Sequence, residues 1–178
     1  MRDNGGMRRA ALAAAVIVAG SCGSSSPAAP DPGPSTTTRA VSLPAGPYTL
    51  TITPSPTGLP VCQNGVCTSA SLCSGSMATG AMRLAVNAER TGDAATLRST
   101  APTTNLVVEF RISAATVLGT IRGSATDEGG NPVFATGEVT GAAPPDEAIA
   151  VSGNINGMIS AGAGSCSNNG HQWSLSGR

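Results

Sequence analysis

Apolar and polar residues alternate along most of the chain after residue 43, which is the pattern of half-buried β-strands. In Pro47–Thr53, for example, Tyr48, Leu50 and Ile52 fall on one face and three threonines fall on the other. The same period of two recurs in segments 82–89, 95–100, 106–112, 117–125, 133–140, 149–159 and 171–175. Because no segment in this region shows a helical stripe with capping residues, we predict an all-β domain over residues 43–178.

Turn residues separate the predicted strands and suggest how they connect. Arg90–Asp93 and Asp127–Pro132 each link two neighbouring strands, and Pro144 and Pro145 prevent any strand from continuing through Gly141–Asp146. Short strands with tight connections predict an antiparallel meander, most simply an up-and-down β-barrel of about eight strands, with a two-sheet β-sandwich as the alternative. The inward faces are rich in Gly and Ala, which leaves open whether the interior is filled or hollow.

The first residues have the three-part organisation of a secretory signal. Arg2, Arg8 and Arg9 precede the apolar run Ala10–Gly20, and small residues follow up to Cys22. The run has 11 residues, fewer than the roughly 20 that a membrane-spanning helix needs. We therefore predict that residues 1–21 are a signal peptide that is removed on export.

The four residues Ala19-Gly20-Ser21-Cys22 resemble the lipobox of bacterial lipoproteins, although Ala19 stands where that family usually has Leu. The resemblance implies that Cys22 becomes the new N-terminus, carries palmitate-type acyl chains and holds the protein on the membrane. Gly23, in place of the Asp that retains such proteins, implies sorting to the outer membrane of a two-membrane cell. The alternative is an ordinary secreted protein in which Cys22 happens to follow the cleavage site.

Residues 22–42 have the composition of a disordered tether. They are mostly Ser, Pro, Gly and Thr without an apolar period, so they cannot bury enough surface to offset the entropy of ordering. A lipidated tether of this length acts as a spacer between the membrane and the folded domain.

The remaining cysteines, Cys62, Cys67, Cys73 and Cys166, are even in number and indicate two disulfides in an exported chain. Asn-Gly between Cys62 and Cys67 favours a two-residue type I′ hairpin turn that places these two cysteines opposite each other. Cys73–Cys166 then follows by elimination. The alternative pairs Cys62 with Cys166 and Cys67 with Cys73.

Composition and charge argue against several classes of function. Charged residues make up 11% of the chain, aromatic residues 2%, and all ten basic residues are Arg. After removal of the signal peptide, seven Arg and nine acidic residues remain. Without a basic face or an aromatic stacking platform, we expect no nucleic-acid binding.

Catalytic and metal-binding patterns are also missing from the sequence. His171 is the only histidine, no G-x-S-x-G motif occurs, and the loop with Asp127 and Glu128 lacks the EF-hand pattern. We therefore expect neither an enzyme nor a cofactor or metal site. Trp173, Tyr48 and His171 are the candidate ligand-binding residues; the alternative is that Trp173 and His171 belong to the core.

Three stretches resemble uncharacterised β-barrel lipoproteins of environmental bacteria. These are Ala45–Ile52, the Gly/Ser/Ile alternation of Val151–Ile159, and the closing set Cys166, His171, Trp173, Leu175 and Arg178. The resemblance implies a barrel in the cell envelope and a disulfide between an early cysteine and Cys166. It implies no activity.

We therefore expect a non-enzymatic envelope lipoprotein that binds a small apolar ligand or an envelope protein. A structural or protease-inhibitor-like domain of the periplasm is the alternative.

Overall fold

The computed structural model describes residues 43–77, 80–143 and 151–177 of the chain, all of which belong to one compact unit. The predicted signal peptide, Cys22 and the predicted tether lie outside the described residues. No helix that is long and apolar enough to cross a membrane occurs in the described ranges. The strands are β1 (Gly46–Thr53), β2 (Pro60–Gln63), β3 (Val66–Ser69), β4 (Leu72–Ser74), β5 (Met82–Thr91), β6 (Ala94–Ser99), β7 (Val107–Ser113), β8 (Thr116–Thr126), β9 (Pro132–Ala142), β10 (Val151–Ala161) and β11 (Gly164–Gly177).

Eight of these strands close into an antiparallel barrel. Strands β5 to β11 pair in chain order, and β1 pairs with β5 on one side and with β11 on the other. This closure confirms the predicted up-and-down barrel, and the alternative of a β-sandwich was wrong. The period of two along each strand produces the closed wall because every second side chain turns toward a shared interior.

The barrel interior is filled with apolar side chains. The apolar side chains of the predicted inward faces are almost completely buried, which shows that a single core runs through the barrel. The largest fully buried aliphatic side chains are Leu43, Leu50, Ile52, Leu84, Leu97, Leu106, Ile121, Ile155, Ile159 and Leu175. The question of a filled or hollow interior, which the sequence left open, is therefore decided in favour of a filled one.

Trp173 on β11 occupies space left by glycines on the neighbouring strands. Gly153 on β10 lies opposite Trp173, and Gly141 on β9 lies opposite Gly153. The indole Nε1 donates a hydrogen bond to the carbonyl oxygen of Thr140, two strands away, at 3.1 Å. A Cβ atom on Gly153 would come within 1.8 Å of that same oxygen, so the close approach of the strands requires glycine at this position.

The chain between β1 and β5 leaves the barrel wall, and we call residues 54–77 the excursion. Within it, β2 and β3 form a separate two-stranded sheet. β4 pairs with Ser165–Ser167 of β11, beside the end of that strand that β1 does not cover. An isolated bridge between Met77 and Gly162 returns the excursion to the barrel.

The two disulfides are Cys62–Cys67 and Cys73–Cys166, which confirms the predicted pairing and overturns the alternative. The first lies across the β2–β3 hairpin, and its two Cα atoms are 4.0 Å apart. The second joins β4 to β11 over a sequence separation of 93 residues. Both disulfides therefore constrain the excursion: Cys62–Cys67 lies within it, and Cys73–Cys166 joins it to the barrel.

Candidate functional site

The three candidate ligand-binding residues from the sequence are all buried. Tyr48 lies in the core and its hydroxyl donates to the carbonyl oxygen of Pro44 at 2.9 Å; burial raises its pKa. Trp173 is 3% exposed and its ring centroid is 5.9 Å from that of Phe110. His171 is completely buried. These positions make the three residues parts of the core of the barrel.

A groove of about 370 Å³ lies on the outer wall above Gly153 and Trp173. Because Trp173 is almost fully buried, the groove is bordered chiefly by outward-facing polar side chains. They are Thr51, Thr53, Ser152, Asn154, Gln172 and Ser174. The walls of the groove are therefore mainly polar, which does not favour an apolar ligand.

His171 uses both ring nitrogens to hold backbone groups. The backbone N–H of Ser55 donates to Nδ1 at 3.0 Å, so Nδ1 carries no proton. Nε2 then carries the proton and donates to the carbonyl oxygen of Cys166 at 3.2 Å. Burial lowers the pKa of His171 below its ordinary value of 6.5, although hydrogen bonding to the backbone of Cys166 and Gly157 acts in the opposite direction.

Asn168, like His171, attaches the backbone of Ser55 to β11. Its side-chain amide donates to the carbonyl oxygen of Ser55 at 2.7 Å, and its Oδ1 accepts from the backbone N–H of Gly170 at 2.7 Å. Asn168 and His171 are the buried polar residues of the described ranges, and both bind the backbone of Ser55. Their arrangement fixes the base of the excursion to β11 and leaves His171 engaged with peptide groups.

The lowered pKa of His171 makes stability depend on pH. The unfolded chain takes up the imidazole proton below about pH 6.5, whereas the folded chain resists it, so the free energy of unfolding should fall as the pH drops below that value. We expect a slope of at most about 1.4 kcal/mol per pH unit, and no slope from this group at higher pH. Urea unfolding from about pH 8 to about pH 5 measures it. His171→Leu, which lacks the titrating group, should lose this slope; an unchanged slope would assign it to other residues.

The outer part of the excursion presents apolar side chains to solvent. Every residue from Leu59 to Ser76 is exposed. Of the six large hydrophobic residues that are exposed in the described ranges, four belong to this stretch: Leu59, Val61, Val66 and Leu72. Single exposed apolar residues are ordinary on protein surfaces, but four of them within one short exposed segment, two of which line the same groove, indicate an interaction surface.

Charge is distributed unevenly over the described residues. All Asp, Glu and Arg residues that the structure describes lie between Arg83 and Glu138, on β5–β9 and their turns. The excursion and strands β1, β10 and β11 carry none of these residues. The apolar surface of the excursion therefore adjoins an uncharged side of the barrel.

The loop with Asp127 and Glu128, which lies outside the excursion, has a structural role. Asp127 accepts hydrogen bonds from Asn131, including its backbone N–H at 2.7 Å, and this hydrogen bonding lowers the pKa of Asp127. The loop thus forms the β8–β9 turn. Across the described ranges, no group of three or more His, Cys, Asp and Glu residues is placed to hold a metal ion.

The base of the excursion is packed tightly against β11 and against its own returning chain. A Cβ atom on Gly58 would come within 2.1 Å of the carbonyl oxygen of Ala70, and one on Gly170 within 2.5 Å of that of Thr57, so backbone packs directly on backbone at its base. Sequence reasoning did not identify this surface. The sequence feature that could have indicated it is the absence of charged residues over residues 54–82, a segment that also contains three cysteines.

None of the models of known protein families, the curated proteins or the solved structures compared with this chain matches it.

Proposed function

We propose that the protein is a non-enzymatic lipoprotein of the cell envelope that binds a partner protein through its excursion. The observation that carries this proposal is that Leu59, Val61, Val66 and Leu72 are all exposed within one short, uncharged and disulfide-bonded segment, where Val61 and Val66 line the same groove. Burying such side chains against a partner contributes roughly 1.5–3 kcal/mol for each one that becomes fully buried. The excursion is already held by disulfides, which lowers the entropy lost on binding.

The filled core favours a protein partner over a small apolar ligand. Apolar ligands usually bind in concave pockets that enclose most of their surface. The interior of this barrel is occupied by its own side chains, and the groove above Trp173 is lined mainly by polar residues. A groove of about 430 Å³ on β6–β8 is more apolar, but the charged side chains of Glu109 and Arg111 also border it. Most of the exposed large apolar side chains lie instead on the excursion, which suits contact with another protein.

The two disulfides are consistent with a protein located outside the cytoplasm. The lipid anchor at Cys22 and the outer-membrane location are part of our proposal, supported by the signal and lipobox patterns of the sequence. Mass spectrometry of the membrane fraction tests this part: we expect a mature N-terminal Cys22 bearing acyl chains. A mature chain that starts elsewhere, or an unmodified Cys22, contradicts it.

Photo-crosslinking in the producing cells tests the partner-binding surface. A photoreactive amino acid at position 66, where Val66 is 65% exposed, should give a discrete adduct with another protein. The same amino acid at position 118 is the matched control, because Leu118 is 60% exposed but lies on β8 of the barrel wall. We expect little or no adduct from position 118.

A charge placed inside the surface should abolish the adduct. Val61→Asp, combined with the photoreactive residue at position 66, should lower the yield at least about tenfold because an unpaired carboxylate would be buried on binding. Its effect on folding should stay within about 0.5 kcal/mol because Val61 is exposed. If positions 66 and 118 react alike, or if Val61→Asp leaves the adduct unchanged, the excursion is not the binding surface.

The tip of the β2–β3 hairpin supports a second candidate function, that of a protease inhibitor. Gln63–Val66 is exposed and closed by the Cys62–Cys67 disulfide, as a preorganised protease-binding loop would be. Incubation with a panel of envelope proteases distinguishes the two functions. Inhibition that disappears on substitution of the tip supports the inhibitor, and cleavage or indifference opposes it.

A further inference from the structure

The β2–β3 hairpin determines which of its backbone groups point outward. Asn64 and Gly65 have φ angles of 51° and 78°, which is the conformation of a type I′ turn. Gln63 therefore pairs with Val66 through hydrogen bonds, and the next pair along the hairpin is Cys62 with Cys67. Their Cα separation of 4.0 Å identifies a narrow pair without mutual hydrogen bonds. In such a pair the N–H and C=O groups point away from the partner strand.

The two outer edges of the hairpin differ because of one residue. By the same alternation, Pro60 and Ser69 form the next narrow pair. The outer edge of β2 therefore offers Cys62 and Pro60, and proline has no N–H to donate. The outer edge of β3 offers complete N–H and C=O pairs at Cys67 and Ser69. Within the described ranges no hydrogen bond engages these groups.

The edge of β3 also lacks the features that normally prevent pairing with other chains. Natural edge strands are protected by charged side chains, proline, bulges or a covering element. β3 reads Val-Cys-Thr-Ser, and all four residues are exposed. Its Val66 and Thr68 line a groove of about 310 Å³ together with Val61 and Gln63 of β2. An added strand would extend this face and place its own side chains beside Val66 and Thr68.

We infer that the outer edge of β3 accepts an extended segment of the partner protein as a third strand of the hairpin sheet. This inference rests on the function proposed above and specifies how the partner is held. Backbone groups of Cys67 and Ser69 supply the hydrogen bonds, and the groove beside Val66 selects an apolar residue at every second position of the partner. Because the excursion has no charge, the docking segment is uncharged as well.

A second copy of this chain fits the edge less well than a foreign segment. β3 has four residues and is therefore only about 13 Å long. Two copies paired through β3 alone would bury far less than the roughly 800 Å² per partner that stable interfaces typically need. A flexible segment can also follow the groove, whereas a rigid second barrel cannot.

A short synthetic peptide in which Val and Thr alternate serves as the probe. When it is added to the purified protein, we expect amide hydrogen exchange to slow at Cys67 and Ser69, whose N–H groups point outward. Exchange at Val66 and Thr68 should change little, because these groups already face β2. A peptide methylated on the backbone nitrogens that face β3 should not bind, whereas methylation in the other frame should be tolerated. Absence of binding by the unmodified peptide, or equal binding by all three, overturns strand addition.

Two substitutions at one position test the same inference from the protein side. Ser69→Pro removes an outward N–H without touching the hydrogen bonds between β2 and β3, and it should weaken peptide binding roughly tenfold or more. Ser69→Ala keeps the N–H and should bind as the unsubstituted protein does. The presence of the Cys62–Cys67 disulfide and an unchanged melting temperature show that the Pro variant is folded. If such a folded variant binds normally, the edge is not used.

Crosslinking in cells that carry the Ser69 variants distinguishes strand addition from partner binding in general. Loss of the position-66 adduct in Ser69→Pro, with retention in Ser69→Ala, supports strand addition in the cell. An adduct that survives Ser69→Pro but is lost in Val61→Asp rules out strand addition and leaves the partner-binding function standing. Absence of any adduct rules out both.

Discussion

Replacement of Trp173 with Ala is expected to lower the free energy of unfolding by about 3–5 kcal/mol. The ring is 3% exposed, contacts Phe110 and fills the space over Gly153 and Gly141. Because both glycines lack side chains, no neighbouring residue on those strands can expand into the cavity. Urea denaturation followed by far-ultraviolet circular dichroism measures the loss, since the substitution also removes the chain's single tryptophan.

Two other substitutions separate the contributions at this site. Trp173→Phe retains an aromatic ring but loses the hydrogen bond from Nε1 to Thr140, so its cost should be smaller, roughly 1–3 kcal/mol. Leu118→Ala, at a position 60% exposed, should stay within about 0.5 kcal/mol. A loss below about 1 kcal/mol for Trp173→Ala would show that the core does not depend on this ring.

The barrel could be predicted because its strands and turns are specified by residues close together in the sequence. In Pro47–Thr53 and Val107–Ser113, alternate residues are buried, so the period of two directly reports which side chains face the core. The turns at Gly92 and Gly130 have positive φ angles and lie between consecutive strands, where sequence signals for turns are strongest. When about eight alternating strands are joined by tight turns, closure into a barrel is the simplest way to pair the two edge strands.

Features that depend on distant contacts could not be predicted in the same way. β4 has three residues and no period, and its pairing with β11 is accompanied by a disulfide to Cys166. The sequence left open whether the interior is filled or hollow because the predicted inward faces are rich in Gly and Ala, and Gly153 and Gly157 are among them. In the structure, the space beside Gly153 is used by Trp173 from the adjacent strand, which no reading of β10 alone would show.

The candidate site was predicted in part. Pairing of Cys62 with Cys67 followed from the local turn, and this pairing fixes the edge geometry on which strand addition depends. The ligand-binding residues predicted from the sequence were instead Trp173, Tyr48 and His171. Aromatic and histidine side chains serve both cores and binding sites, and only the position of Ser55 beside His171 shows that the histidine attaches the excursion.

Removal of the Cys73–Cys166 disulfide, by Ala at both positions, is expected to destabilise the protein by about 4–5 kcal/mol as an upper figure. The bond constrains 93 residues of the unfolded chain, whereas Cys62–Cys67 constrains only 5 and should contribute about 2 kcal/mol by the same chain-entropy estimate. Thermal or urea unfolding of the two double-Ala variants compares them directly.

The fold predicts a further difference between these two variants. The barrel is closed by six residue pairs between β1 and β11, at the opposite end of β11 from Cys166, so closure does not need the disulfide. Without Cys73–Cys166, the native chain should therefore retain slow amide exchange in β5–β10, while exchange in β4 becomes faster because three residue pairs alone hold that strand. Without Cys62–Cys67, the faster exchange should be confined to β2 and β3. Equal loss of protection throughout the barrel in the first variant would show that the long disulfide is required for closure, and that the excursion is an integral part of the wall.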